Sequence, residues 1–158
     1  MSTLPADIVL DRKIDAIIAD GQRLPRWGWP VPAPYNGATG KERVYVWQKN
    51  QIAWQVGLMP ERSECSVCSK RQAEHWHGEL YFRPFALMAI CRSCHARLHR
   101  RFGSPQRWSA FLEGIDPDNW THALLPEQLG RQEALRLARE PDWLGALKRL
   151  SQDRQADQ

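Results

Sequence analysis

Two pairs of cysteines limit what this chain can fold into more than any other feature. Cys65-Ser66-Val67-Cys68 and Cys91-Arg92-Ser93-Cys94 hold the only four cysteines in 158 residues, and 22 residues separate the pairs. Each CxxC turn presents two soft thiolates from one side, and two such turns complete a tetrahedron. The spacing therefore predicts a structural Zn2+ on Cys65, Cys68, Cys91 and Cys94, with room for a small hairpin between the two knuckles. The competing outcome is two disulfides or four unrelated core thiols. Met1-Ser2-Thr3-Leu4-Pro5 lacks the basic and apolar regions of a secretion signal, and no apolar run approaches membrane-spanning length. The expectation is a cytoplasmic chain with no membrane partner, where thiols stay reduced and paired cysteines hold metal.

Around the cysteines the pattern divides the chain into three stretches of one domain. Residues 1–60 combine N-terminal helices with a Pro/Trp-rich wrap. Ile8, Leu10, Ile14, Ile17 and Ile18 give 6–20 an amphipathic helix that ends at Asp20-Gly21. The prolines of 24–40 forbid a helix there, and Asn36-Gly37 signals a turn. Trp27 and Trp29 are expected to pin this wrap to the domain. Residues 41–57 read as a helix with Val44, Trp47, Gln51 and Trp54 on one side, although Val44-Tyr45-Val46-Trp47 also suits a strand. Residues 61–104 are the zinc-binding core, with a short strand in 74–82 and a helix over 91–102 that Gly103 stops. Residues 105–158 form a C-terminal helical segment, with helices near 105–114, 130–139 and 141–150 and a frayed tail from Ser151. The eight tryptophans read mainly as packing units, and one or two of them as surfaces for stacked bases.

Charge is placed unevenly. The net +4 arises from +2 on residues 1–60, +5 on 61–107 and −3 on 108–158. The excess sits on the zinc segment, where a phosphate-bearing partner, DNA or RNA, would want it.

The stretch Cys65–His99 resembles the HNH (ββα-metal, treble-clef) nuclease family, in its four-cysteine branch. The residues that carry the likeness are the two CxxC pairs, Glu74-His75-Trp76-His77 between them, and Cys94-His95-Ala96-Arg97-Leu98-His99 at the start of the last helix. His77-Gly78-Glu79-Leu80-Tyr81-Phe82-Arg83-Pro84 also resembles HNH-type proteins of phages and mobile elements. The pattern is degenerate in two places: Trp76 stands where the family has a first metal ligand, and Ala86 where it has the middle Asn. The resemblance implies that His95 and His99, four apart on a helix, share a second divalent ion (Mg2+, Mn2+ or Zn2+) at a scissile phosphate. It places His77 as the general base, with His75 as a second ligand or the base itself, and leaves Glu74-His75 as an alternative frame.

The arginines of that helix divide by direction. With His95 at zero and about 100° per residue, His99 lies near 40° and Arg92 near 60°, whereas Arg97, Arg100 and Arg101 lie roughly opposite. Arg92 and Arg83 are thus candidates to contact phosphate beside the histidines, and Arg97, Arg100 and Arg101 form a separate basic face. The fold expected is α+β: a small treble-clef or ββα-metal zinc domain embedded in a mainly helical single domain. The function expected is nucleic-acid binding, with metal-dependent endonuclease activity as its sharper form. The alternative is a non-catalytic zinc module that binds DNA, RNA or a protein partner, such as a mobile-element regulator or inhibitor.

Overall fold

The computed structural model describes residues 4–158 as an α+β, mainly helical domain with a two-stranded sheet. In order, it contains α1 (Ala6–Ala19), α2 (Gly40–Gln55), β1 (His75–Gly78), β2 (Leu87–Ile90), α3 (Arg92–His99), α4 (Pro105–Glu113), a short 3-10 helix (Trp120–Ala123), α5 (Arg131–Ala138) and α6 (Trp143–Ala156). No helix of the described residues is long and apolar enough to cross a membrane.

The segment that suited both helix and strand is the helix α2. A capping box settles it: Thr39 Oγ1 accepts from the Glu42 backbone at 3.2 Å while the Glu42 carboxylate accepts from the Thr39 amide. Its buried side differs from the one expected. Val46, Lys49, Ile52 and Ala53 face inward, whereas Trp54 stays 55% exposed. The inward stripe packs on α1 through Ile14, with Phe85 completing a small cluster. Lys49, buried between the helices, pairs with Asp11 and, at 2.6 Å, with Asp15. The opposite flank of α2 takes the wrap, where Trp27 and Trp29 pack edge-on against each other and against Trp47 with centroids 5.0–6.0 Å apart.

β1 and β2 pair antiparallel, with His75 opposite Ile90 and His77 opposite Met88. Cys91 caps α3 immediately after β2, so the hairpin and helix form one ββα unit. Most of the core is a single cluster that runs from Cys65 and Val67 through Leu98 to Leu137 and Leu147. The zinc segment and the C-terminal helices therefore share one interior, across the 104/105 boundary. The tail corrects the expectation of fraying at Ser151. α6 continues to Ala156 because Ser151 is buried and Arg154 bridges Glu127 at 2.8 Å and Glu133 at 2.5 Å.

The wrap ends in a tight turn. Tyr35 and Ala38 exchange backbone hydrogen bonds at 3.0 Å around Asn36 (φ 45°) and Gly37 (φ 79°), both left-handed, as a two-residue primed turn requires. The turn lies hard against α5, so that a Cβ on Gly37 would stand 2.5 Å from Arg131 Cα. Gly37→Ala should accordingly destabilise the fold by roughly 1–3 kcal/mol, from backbone strain alone or more with the clash. The midpoint of urea unfolding checks this, and an unchanged midpoint rejects the described turn.

Candidate metal centres

The first knuckle, Cys65–Ser69, closes through a Ser69 N–H to Cys65 carbonyl bond of 3.0 Å, with Ser69 in the left-handed region (φ 54°). Ser66 holds it against β2: its amide and its hydroxyl both donate to Ala89 O, at 2.9 and 2.6 Å. Asn119 and Trp120, from the C-terminal segment, donate to Ser66 O and Oγ at 2.7 and 3.0 Å. The second knuckle flows into α3, where the Cys94 amide points at Cys91 Sγ.

The result is a cluster of Cys65, Cys68, Cys91 and Cys94 whose sulfurs lie within 4.8 Å of one another, free of disulfides. Burial pushes the Cys65 thiol up, but backbone N–H groups of Cys68, Cys91 and Val67 around its sulfur outweigh this and bring it down to about 7. Burial and the neighbouring sulfurs push Cys91 and Cys94 the other way. One thiolate therefore forms easily, and further ones form only with a cation to share the charge. Four soft donors in a closed, mostly buried set suit a structural zinc.

A second cluster lies on the outer side of the hairpin, formed by His77, His95 and His99. His77 Nδ1 is 3.3 Å from His95 Nε2, and His99 Nε2 is 3.0 Å from the same atom. Two nitrogens bound tetrahedrally at 2.0–2.1 Å to zinc would stand about 3.3 Å apart, so the three rings are spaced as ligands of one ion. Burial, with the neighbouring imidazoles, holds His95 down to about 3, and burial, with His77, holds His99 down to about 4, so each is neutral at pH 7 as a metal ligand must be. His75 stands behind the cluster, its Nδ1 3.0 Å from His95 Nδ1.

Behind His77 lies a polar network that the sequence did not disclose. His77 Nε2–H donates to the fully buried Glu79 carboxylate at 2.7 Å. The same carboxylate accepts from Arg101 at 2.6 Å, Tyr35 at 2.8 Å and Asn36 at 2.7 Å. Burial alone would raise Glu79, but Arg101 and then His77 hold it down at about 2. This bond fixes the His77 tautomer, so the Nδ1 lone pair faces the other two histidines. His77 is itself buried and has a protein partner at each ring nitrogen.

Two arginines expected to reach phosphate do not. Arg101 is buried within the Glu79 network and also donates to Leu125 O at 2.7 Å. Arg83 is buried as well, in a two-point pair with Asp7 at 2.6 and 3.0 Å. Each guanidinium charge is already neutralised inside the fold, which a helical angle or a loop position cannot reveal. Arg92 stays exposed near Glu74, while Arg97 and Arg100 are exposed on the other side of α3.

No family model, curated protein or solved structure matches the chain.

Chelation, or Cys94→Ser, should unfold the ββα unit, because binding free energy at such a site, on the order of 10 kcal/mol, is also folding free energy. Zinc content and circular dichroism before and after chelation check this, and a zinc-free chain that keeps its fold rejects it. Glu79→Ala should cost about 3–5 kcal/mol, since it leaves the Arg101 charge buried and unpaired. Glu79→Gln should cost less, and chemical denaturation ranks the two.

Proposed function

We propose that this chain is a zinc-stapled nucleic-acid-binding protein that hydrolyses phosphodiesters with a second divalent ion held by His77, His95 and His99. The observation that carries the proposal is the convergence of three imidazoles from β1 and α3 at the spacing of metal ligands. A divalent ion with three such ligands and an open position neutralises phosphate charge and lowers the pKa of water. The chain's own residues do the rest. Glu79 keeps a proton on His77 Nε2, and His75 faces the outer nitrogen of His95. A groove of about 520 Å³ runs from His75 and His95 to Trp47, Trp54 and Arg62. Its indole faces suit stacked bases, and Arg62 lies 5.7 Å over Trp54.

This arrangement favours His77 as a ligand over His77 as a base, since Glu79 holds its Nε2 proton and its buried Nδ1 lone pair faces His95 instead of open solvent. The same observation supports a second reading. His77 is tied to protein groups at both ring nitrogens, as a purely structural histidine is, and the protein is then a zinc module that binds DNA, RNA or a protein without cleaving.

Metal analysis and a nicking assay separate the two. The hydrolytic reading expects two divalent ions per chain and Mg2+- or Mn2+-dependent nicking of plasmid DNA or cleavage of RNA. His95→Ala should lower the rate on the order of 10²-fold or more while the four-cysteine zinc stays bound. Nucleic-acid binding without cleavage in any metal leaves the binding module, and no binding at low salt removes both nucleic-acid readings.

A further inference from the structure

α3 carries its histidines on one side and Arg97, followed by the C-cap Arg100, on the other. On the arginine side, Arg97 and Arg100 meet the start of α4 in a concavity of about 310 Å³, completed by Ser93, Ser104, Arg107 and Trp108. No carboxylate lines it, and among the described residues none of its three arginines has an ion-pair partner. Arg97 is held in place by stacking over Phe111 at 5.0 Å.

Two further features border the concavity. α4 begins here, with Ser104 as its cap residue and Pro105 next, yet the Ser104 side chain makes no capping bond. The first-turn amides of Gln106 and Arg107 thus lack the usual side-chain acceptor, at the positive end of the helix dipole. Independently, Trp108 is only 5% exposed and its indole N–H has no acceptor. Three cationic forks, two hydroxyls and a helix N-terminus without any acid make a site for a tetrahedral oxyanion.

We propose that this concavity binds phosphate, and that in function it holds a backbone phosphate of a nucleic acid. Only the second half rests on the nucleic-acid reading above. A helix with its side chains is about 10–12 Å across, so the phosphate bound here is not the one at the histidines. It belongs to another position along the strand or to the opposite strand. The site anchors the polymer, and the histidine cluster acts elsewhere on it.

The test uses the full zinc-loaded chain, with inorganic phosphate and a short fluorescein-labelled DNA duplex or its RNA counterpart as probes. Phosphate should shift the amide resonances of Gln106 and Arg107. The double variant Arg100→Gln, Arg107→Gln should lose that shift, bind the duplex more weakly, and flatten the log–log salt dependence by about 0.9, the slope of one phosphate contact. Its circular dichroism and zinc content should match the parent, which excludes misfolding as the cause. If phosphate shifts these amides but neither DNA nor RNA binds, the anion site stands and the nucleic-acid reading fails. If phosphate leaves the amides unmoved, or the double variant binds the duplex with unchanged affinity and slope, the site is solvated surface and the proposal is wrong.

Discussion

The Glu79 carboxylate, buried where no water reaches it, receives hydrogen bonds from four side chains drawn from three separate parts of the chain. Tyr35 and Asn36 come from the Pro-rich wrap, His77 from β1, and Arg101 from the turn after α3. Taking a carboxylate out of water costs several kcal/mol, and only complete pairing offsets it. Each donor must therefore reach its position, so the network sets the wrap, the hairpin and the helix relative to one another. Asn36 extends the tie further, since its Oδ1 accepts from the Leu129 amide at 3.0 Å while its own amide donates to Gln128. A two-residue turn thereby connects the C-terminal segment to the histidine cluster.

The cysteine cluster does the complementary work on the other side of the hairpin. Two four-residue strands and an eight-residue helix are too short to stand alone in water. The thiolates staple the base of the hairpin to the first turn of α3, and the Glu79 network clamps its outer end. The imidazoles of His77, His95 and His99 lie between these two restraints. Their spacing is thus imposed by the scaffold and does not depend on the rings finding one another.

What the sequence disclosed was what spacing and backbone chemistry control. The CxxC pairs, the Asn36-Gly37 turn, α1 and the i, i+4 pairing of His95 with His99 all follow from local rules, whereas the ββα order entered through the family likeness. What it did not disclose depends on contacts distant in sequence. Arg101 and Arg83 read as surface charge because nothing local marks Glu79, 22 positions earlier, or Asp7, 76 positions earlier, as their partners. Glu79 itself entered only through a family likeness, as an acidic residue after the strand histidine. The buried face of α2 was misjudged because Lys49 counts as polar in any periodicity, yet it lies in the interior between two aspartates of α1. The helix at Ser151–Ala156 was missed because its polar sequence is stabilised by Arg154 bridges to two distant glutamates.

α3 and its C-cap Arg100 divide their side chains among three directions of the helix. Cys94 and Leu98 face the interior, and Cys94 brings the four-cysteine cluster to the helix start. His95 and His99 turn to β1. Arg97 and Arg100 turn away, to the mouth of α4. A helix of about 12 Å cannot shift one of these faces without shifting the others. Any strain placed on the histidine side by a ligand is therefore felt at the cysteines and at the arginines. That rigidity keeps the histidine cluster and the arginines at a fixed separation.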